Sequence, residues 1–456
     1  MSQPPDPHAA YNRKRLFLLS VIALTTTGIG FSIRGNIASE LQSSLFDPID
    51  KLHSAEMVAT ALGVVFLGFA FTIAIGSPLL DYIGMGRLLR GSALCYFVGT
   101  AVVVFSKSLA AAQGSISLFR IVWLGMLIMG IGQGLVETVI NPLAATLYPD
   151  DKTHRLNVLH AWWPGGIIIG GLLGLSLSKL NFNWQVQLGL VLLPAAAFGL
   201  MAAGSKFPPT ERVAAGVSAR EMLKEVLRPF FILWFLCMFL TAASELAPGQ
   251  WVDMALTRTV GMKGIWLLVY VSGLMFVMRH FAGPLAHKLS PVGLLWISCL
   301  LASLGLVLLS IANSPINGLL AATVWGIGVC YMWPTMLGAT SERFPRGGAL
   351  LMGLMGTGGT LSIYFVLPQM GHIFDQAKVR AADGDEAFKA LTGDRLNEVL
   401  TYASQYSFRV VALLPAILLI VFGSIWLYDK ARGGYRPVKI VPATPAQPQA
   451  GAERGV

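Results

Sequence analysis

Blocks of apolar residues, each close to the roughly 20 that a helix needs to cross a hydrocarbon layer, recur from near residue 16 to near residue 427 with short polar breaks between them. Nothing else in the chain constrains its fold as strongly. A backbone immersed in lipid must satisfy its own hydrogen bonds, and only helices or a closed barrel do so. A barrel would read as alternating segments of about ten residues, and that alternation is absent. The chain is 55% hydrophobic and 12% charged, too little polar surface for a soluble globule. The expected fold is all-α and membrane-integral.

The breaks predict six spans near residues 16–44, 55–80, 87–106, 115–147, 154–178 and 184–204, and six more near 230–255, 263–286, 291–312, 316–342, 348–372 and 408–428. Between the sets lies Lys206 to Arg228, with Pro208, Pro209 and a mixed-charge amphipathic run that cannot span. The chain thus divides into an N-terminal tail (1–15), a first bundle (16–205), a linker (206–228), a second bundle (229–428) and a C-terminal tail (429–456). Beyond Tyr435 that tail is rich in Pro and Ala, a composition that predicts disorder. The halves echo one another: Gly76-Ser-Pro-Leu-Leu-Asp81 against Gly283-Pro-Leu-Ala-His287, and Asn141-Pro142 against Trp333-Pro334. Parallel repeats of this kind place a ligand site between them at mid-membrane.

The net charge of +10 would suggest nucleic acid in a soluble protein, but here the basic residues sit in loops and tails, so nucleic-acid binding is not expected. Clusters at Arg13 to Arg15, Arg87 and Arg90, Lys152 and Arg155, the linker, Arg343 and Arg346, and beyond Lys430 fall on one side of a twelve-span chain. Both termini and the linker are therefore expected in the cytoplasm, in a plasma or bacterial inner membrane. Met1 to Arg15 is polar, and no small-residue cleavage site follows the first apolar block, which is expected to stay as an anchor. Cys95, Cys237, Cys299 and Cys330 all lie in apolar blocks and read as packing residues.

Arg34, Glu137, His160, Glu245, Arg279 and His280 lie well inside apolar blocks. Each such group costs at least about 2.5 kcal/mol at the bilayer centre and persists where it is paired, solvated or useful. Glu137 and Asn141 are four apart and share a helix face. Asn157, His160 and Trp163 step by three towards Pro164-Gly165-Gly166, where a kink is expected. Glu245 precedes Pro248-Gly249-Gln250-Trp251, which predicts a helix broken at mid-membrane with polar and aromatic groups at the break. Polar side chains beside an aromatic ring suit a sugar, whose hydroxyls are hydrogen-bonded while its C–H face stacks. Bland readings stand beside these. Glu137 could pair with Arg34, Arg279 with Glu245, His160 could bond between helices, and Trp163, Trp251 and Trp333 could simply pack or sit at the interface. No His/Glu metal motif and no Ser/His pair at catalytic spacing occurs in the spans, so no metal, cofactor or enzymatic activity is expected.

These residues resemble the fucose:proton symporter family within the major facilitator superfamily. Gly132-Gln-Gly-Leu-Val-Glu137-Thr-Val-Ile-Asn141-Pro142 is similar to its span-four signature, whose glutamate is essential in the family. Arg155-Leu-Asn157 with His160 and Trp163 resembles span five, Ala243-Ser-Glu245-Leu-Ala-Pro-Gly249-Gln-Trp251 span seven, Arg279 the span-eight arginine, and Tyr331-Met-Trp333-Pro334-Thr335 span ten. Asp81, Gly84 and Arg87 resemble the superfamily's loop after span two, which implies a gating role through charge contacts. Two positions depart from the pattern. Ser32-Ile33-Arg34-Gly35-Asn36 stands where the family has a proton-handling aspartate, and His160 and Trp163 stand where it has sugar-binding polar side chains.

The resemblance implies twelve helices in two pseudo-symmetric bundles and a secondary transporter of a small polar solute, a monosaccharide first, working by alternating access. Proton coupling, sodium coupling and uniport stay open. The substrate-binding or coupling set is Arg34, Asn36, Glu137, Asn141, Asn157, His160, Trp163, Glu245, Gln250, Trp251, Arg279 and Trp333. If Arg34 faces the substrate unpaired, an anionic solute such as a sugar acid becomes the alternative, because guanidinium grips carboxylate in a fork. A non-transporting sensor with the same fold is the reading from another class. The expected partners are the solute, a proton if coupling operates, and the lipid bilayer, with the chain acting as a monomer.

Overall fold

The computed structural model describes residues 11–49, 54–111, 115–259 and 264–439, and among them eleven helices are long and apolar enough to cross a membrane. The first half contains Arg13–Asn36, Ser54–Ile83, Met85–Val104, Ser115–Leu147, Lys152–Lys179 and a sixth span in two pieces, Trp184–Gly189 and Leu192–Ala203. The second half contains Pro229–Thr259, Pro291–Leu309, Pro315–Val329 with Met332–Arg343, Gly348–Ala381 and Leu413–Ala431. The predicted eighth span is divided into Gly264–Arg279 and Ala282–Leu289. Pro284 lies in the first turn of the second piece, where its missing N–H breaks no helical bond.

Small residues let spans approach closely. Span one packs along span five, and a Cβ on Gly166 would lie 2.5 Å from the Thr25 carbonyl and 3.0 Å from Gly28 Cα. Such contact gains dispersion energy where lipid supplies no hydrophobic drive between helices. Span four packs on spans two and three, and span nine on spans ten and twelve.

Four expectations need correction. Span one ends at Asn36 instead of continuing to 44, and short turns over Ala38–Leu41 and Gln42–Phe46 follow. Span seven is not broken at Pro248: the helix runs unbroken from Pro229 to Thr259. A proline strands the carbonyl four residues upstream, here Ser244, and the Trp325 indole N–H of span ten donates to it at 3.3 Å. The charged stretch from Asp375 to Glu398, which falls between the predicted spans 348–372 and 408–428, is largely helical: span eleven extends to Ala381, and Asp385–Ala390 and Gly393–Val411 follow. Lastly, residues 435–439 of the tail pack on span ten, the Tyr435 hydroxyl donating to Glu342 at 2.7 Å and the Val438 N–H to the Glu342 carbonyl at 2.9 Å, while the rest of the stretch expected to be disordered lies outside the described residues.

The chain's start, linker and tail share one face. Arg15 reaches Gly204, Asp81 pairs with Arg212 of the linker, and Lys152 pairs with Glu211 at 2.6 Å. On this linker face the halves are closed on each other. Thr153 of span five donates through its hydroxyl to Glu342 of span ten at 2.7 Å, Asn157 donates to Thr335 at 3.1 Å, and Ser77 packs directly against Gly353.

Candidate functional site

A cavity of about 720 Å³ lies between the halves. Phe31, Phe66, Gln133, Glu137, His160 and Trp163 line it from the first half, and Glu245, Arg279, Trp333, Thr360, Tyr364 and Gln369 from the second. The volume suits a small molecule, whose sites run to about 300–1,000 Å³. Its lining reaches Gly63 and Gln369, both exposed, on the side away from the linker face.

The predicted spacing on span four brings Glu137 and Asn141 together, with the Asn141 amide donating to Glu137 Oε2 at 2.7 Å. The Asn141 carbonyl oxygen lies 2.8 Å from His160 Nε2 of span five. Because that oxygen only accepts, His160 carries its proton on Nε2 in this arrangement. Asn141 itself stands behind the cavity wall, orienting both side chains that line it. Trp163 lies against Phe31 at 5.6 Å between ring centres, and Phe31 lies 6.3 Å from Phe66, so the first-half wall is an aromatic ledge beside a carboxylate.

Across the cavity, Arg279 and Glu245 form the pair that sequence spacing allowed, at 2.9 Å. The other Arg279 nitrogens are also engaged. Nε donates to the Cys330 carbonyl at 2.6 Å and Nη1 to the His160 carbonyl at 2.8 Å. Prolines explain why those carbonyls are available: Pro334 and Pro164 each lie four residues downstream and have no N–H to offer. The helix Lys152–Lys179 runs through Pro164, and the acceptor that proline leaves unmet is filled by an arginine from the other half.

Several predicted residues lie elsewhere. Arg34 does not line the cavity and does not pair with Glu137; it is 5% exposed, it lies near Gly30 and Val191 inside the first half, and no hydrogen bond or ion pair reaches it among the described residues. Asn36 donates to Gln187 at 2.8 Å and to Ser178 at 3.3 Å, tying span one to spans five and six. Asn157 belongs to the closed linker face. Gln250 and Trp251 are helical in backbone, and their side chains lie outside the described residues. In the gating motif, Asp81 meets the linker through Arg212 and through Thr210, whose hydroxyl donates at 2.7 Å. Gly84 takes φ +90° at the turn, where a side chain would be strained. Arg87 is exposed, and its guanidinium donates to the Ile83 carbonyl at 3.3 Å.

Sequence reading missed Gln133, Phe31, Phe66 and the span-eleven residues. Gln133 was accessible to it, lying four before Glu137 on the same face. Thr360, Tyr364 and Gln369 of span eleven are polar too, whereas Phe31 and Phe66 carry no polar signal that separates them from ordinary lipid-facing or core positions.

The family model described as Major Facilitator Superfamily matches residues 12–366. Among curated proteins, myo-inositol transporter 1 of Saccharomyces cerevisiae is 31% identical over 140 residues, 30% of this chain and 21% of that protein. The D-xylose transporter of Levilactobacillus brevis is 28% identical over 136 residues, 30% of this chain and 28% of that protein. The chain thus spans less than a third of these relatives' length. Among solved structures, FucP in the outward conformation superposes with a TM-score of 0.64 at 16% identity, covering 90% of this chain and 99% of that one. The proton:xylose symporter XylE bound to 6-bromo-6-deoxy-D-glucose gives 0.66 at 14% identity, covering 90% and 95%. At such identities the superpositions speak to the fold alone.

Proposed function

The chain belongs to the Major Facilitator Superfamily, and from that premise we propose that it is a secondary transporter of a neutral monosaccharide or cyclic polyol, working by alternating access. The observation that carries this reading is the cavity between the halves, in which an aromatic ledge of Phe31 and Trp163 shares the first-half wall with Gln133, Glu137 and His160, and Glu245 lines the second half. Rings to stack on and groups to accept hydroxyl protons are what a polyol needs. The inositol and xylose transporters among its relatives support the same class.

The sugar-acid alternative loses support from the geometry. Arg34 stands away from the cavity, and every nitrogen of Arg279 already has an acceptor. Glu137 is the natural site for a coupled proton: it faces the cavity, its described partner is an amide, and no cation neutralises it among the described residues. Taking up a proton there removes an uncompensated buried charge, which is how occupancy by a proton can be linked to a conformational step. The chain reads as two bundles, 16–205 and 229–428, joined by the linker, and as a monomer. The basic loops on the linker face favour a cytoplasmic position for that face and both termini, in a cell or inner membrane.

Uptake of labelled hexoses, xylose, myo-inositol and a sugar acid into proteoliposomes, with and without an inward proton gradient, tests the proposal. Uptake of a neutral compound that is stimulated by the gradient, with the stimulation lost in Glu137→Gln, is expected. Uptake of the sugar acid alone overturns the substrate class, and gradient stimulation that survives Glu137→Gln removes Glu137 from the coupling path.

A further inference from the structure

We infer that Arg279 is the tie holding the two halves together at the floor of the cavity, and that Glu245 is the handle through which an occupant of the cavity loosens it. The inference rests on the alternating-access reading and goes beyond substrate binding. Pro164 strands the His160 carbonyl in the first half, and Pro334 strands the Cys330 carbonyl in the second. Arg279 reaches both, at 2.8 Å and 2.6 Å, while its remaining nitrogen holds Glu245 at 2.9 Å. Guanidinium is planar with its donors in a rigid fork, so the three acceptors must keep register with one another. Of the three bonds, that to His160 crosses between the halves, and it is the one broken when they part at this level.

Glu245 orients the fork from inside the cavity. Its Oε1 holds Arg279, the Trp333 backbone N–H at the start of Met332–Arg343 also approaches the carboxylate, and Oε2 is enclosed without a fully formed hydrogen bond among the described residues. A carboxylate with one strong bond, to Arg279, and one weak backbone contact can turn when a hydroxyl or a proton competes for it. Turning slackens the fork, and the bond across to His160 goes with it. Separation of the halves thereby depends on what the cavity contains.

Thiol labelling reads this without a substrate. In a chain whose Cys95, Cys237, Cys299 and Cys330 are replaced by alanine, Ser77→Cys puts a single thiol at the buried seam between spans two and eleven. Arg279→Lys and Glu245→Gln are expected to raise its maleimide labelling rate about tenfold, the worth of one charge-assisted hydrogen bond. Unchanged rates in both variants overturn the tie. Pro164→Ala separates a tie from an arginine that merely caps carbonyls, because it returns an N–H to span five. Added to Arg279→Lys, it is expected to recover melting temperature while labelling stays fast. Recovery of slow labelling as well would reduce Arg279 to a cap and overturn the inference. Failure of the sugar reading leaves both measurements intact, since neither uses a sugar.

Discussion

Proline placement decides the role of individual polar groups in this protein. Pro164, Pro248 and Pro334 each strand a carbonyl inside the bundle, and each carbonyl is met by a donor from another helix: Arg279 twice and Trp325 once. Leaving a buried acceptor unmet costs about 1–3 kcal/mol. Trp325→Phe is therefore expected to lower the melting temperature measured in detergent, and Pro248→Ala in the same chain to recover it by restoring the helix's own bond. A melting temperature unmoved by Trp325→Phe would show that water or another donor serves Ser244. The pairing of Glu137 with Asn141 was legible from their spacing because both lie on one helix. The partners of Asn36 and Asn157, and the place of Arg34 inside the first half, were not, because each depends on which helix packs alongside.

Helices and tails carry the closure of the linker face. Glu342, at the end of span ten, accepts from Thr153 of the first half and from Tyr435 of the tail, while Arg343 pairs with Asp429 and lies over the Tyr435 ring. Burial and the neighbouring Glu342 carboxylate push the Tyr435 phenol well above its usual range, so it remains a donor at any physiological pH. Tyr435→Phe is expected to free the tail, read as trypsin cleavage after Lys439 that is several-fold faster than in the parent chain. Equal cleavage rates would show that the Val438 backbone bond holds the tail alone. In the linker, Ser218 and Glu221 form a reciprocal cap on the helix Ala219–Val226. The Ser218 backbone and hydroxyl donors hold the Glu221 carboxyl below its usual range. A depressed carboxyl contributes stability above its unfolded pKa and loses it as pH falls through the folded one, so this cap loosens only in acid. Composition announced the linker's amphipathic run, but it did not show that the first residues of the tail, Tyr435 and Val438, find partners on span ten.

At the scale of the molecule, the halves are joined by the cavity floor and the linker-face seam as well as by the chain. Arg212 and Glu211 both hold the first half, through Asp81 and Lys152. Gly216, at φ +71°, lies just beyond them in a turn that contributes no described tie to either half. Two fragments divided at Gly216 and co-expressed are accordingly expected to co-purify and to retain whatever uptake the intact chain shows. Fragments that do not associate would mean that continuity of the linker is needed to align the bundles.

Hydrophobic block length, proline and glycine punctuation and loop charge are local properties, and they were enough to predict an all-α membrane protein in two halves and to single out Glu137, His160, Trp163, Glu245, Arg279 and Trp333, which meet at one cavity. Whether an intramembrane charge faces that cavity, a partner or the interior of one bundle depends on helix rotation and on neighbours more than a hundred residues away. Arg279 meeting the His160 carbonyl is such a case, 119 residues apart. A one-dimensional pattern marks a buried ionisable group as costly, but only the packed structure decides which acceptor offsets that cost.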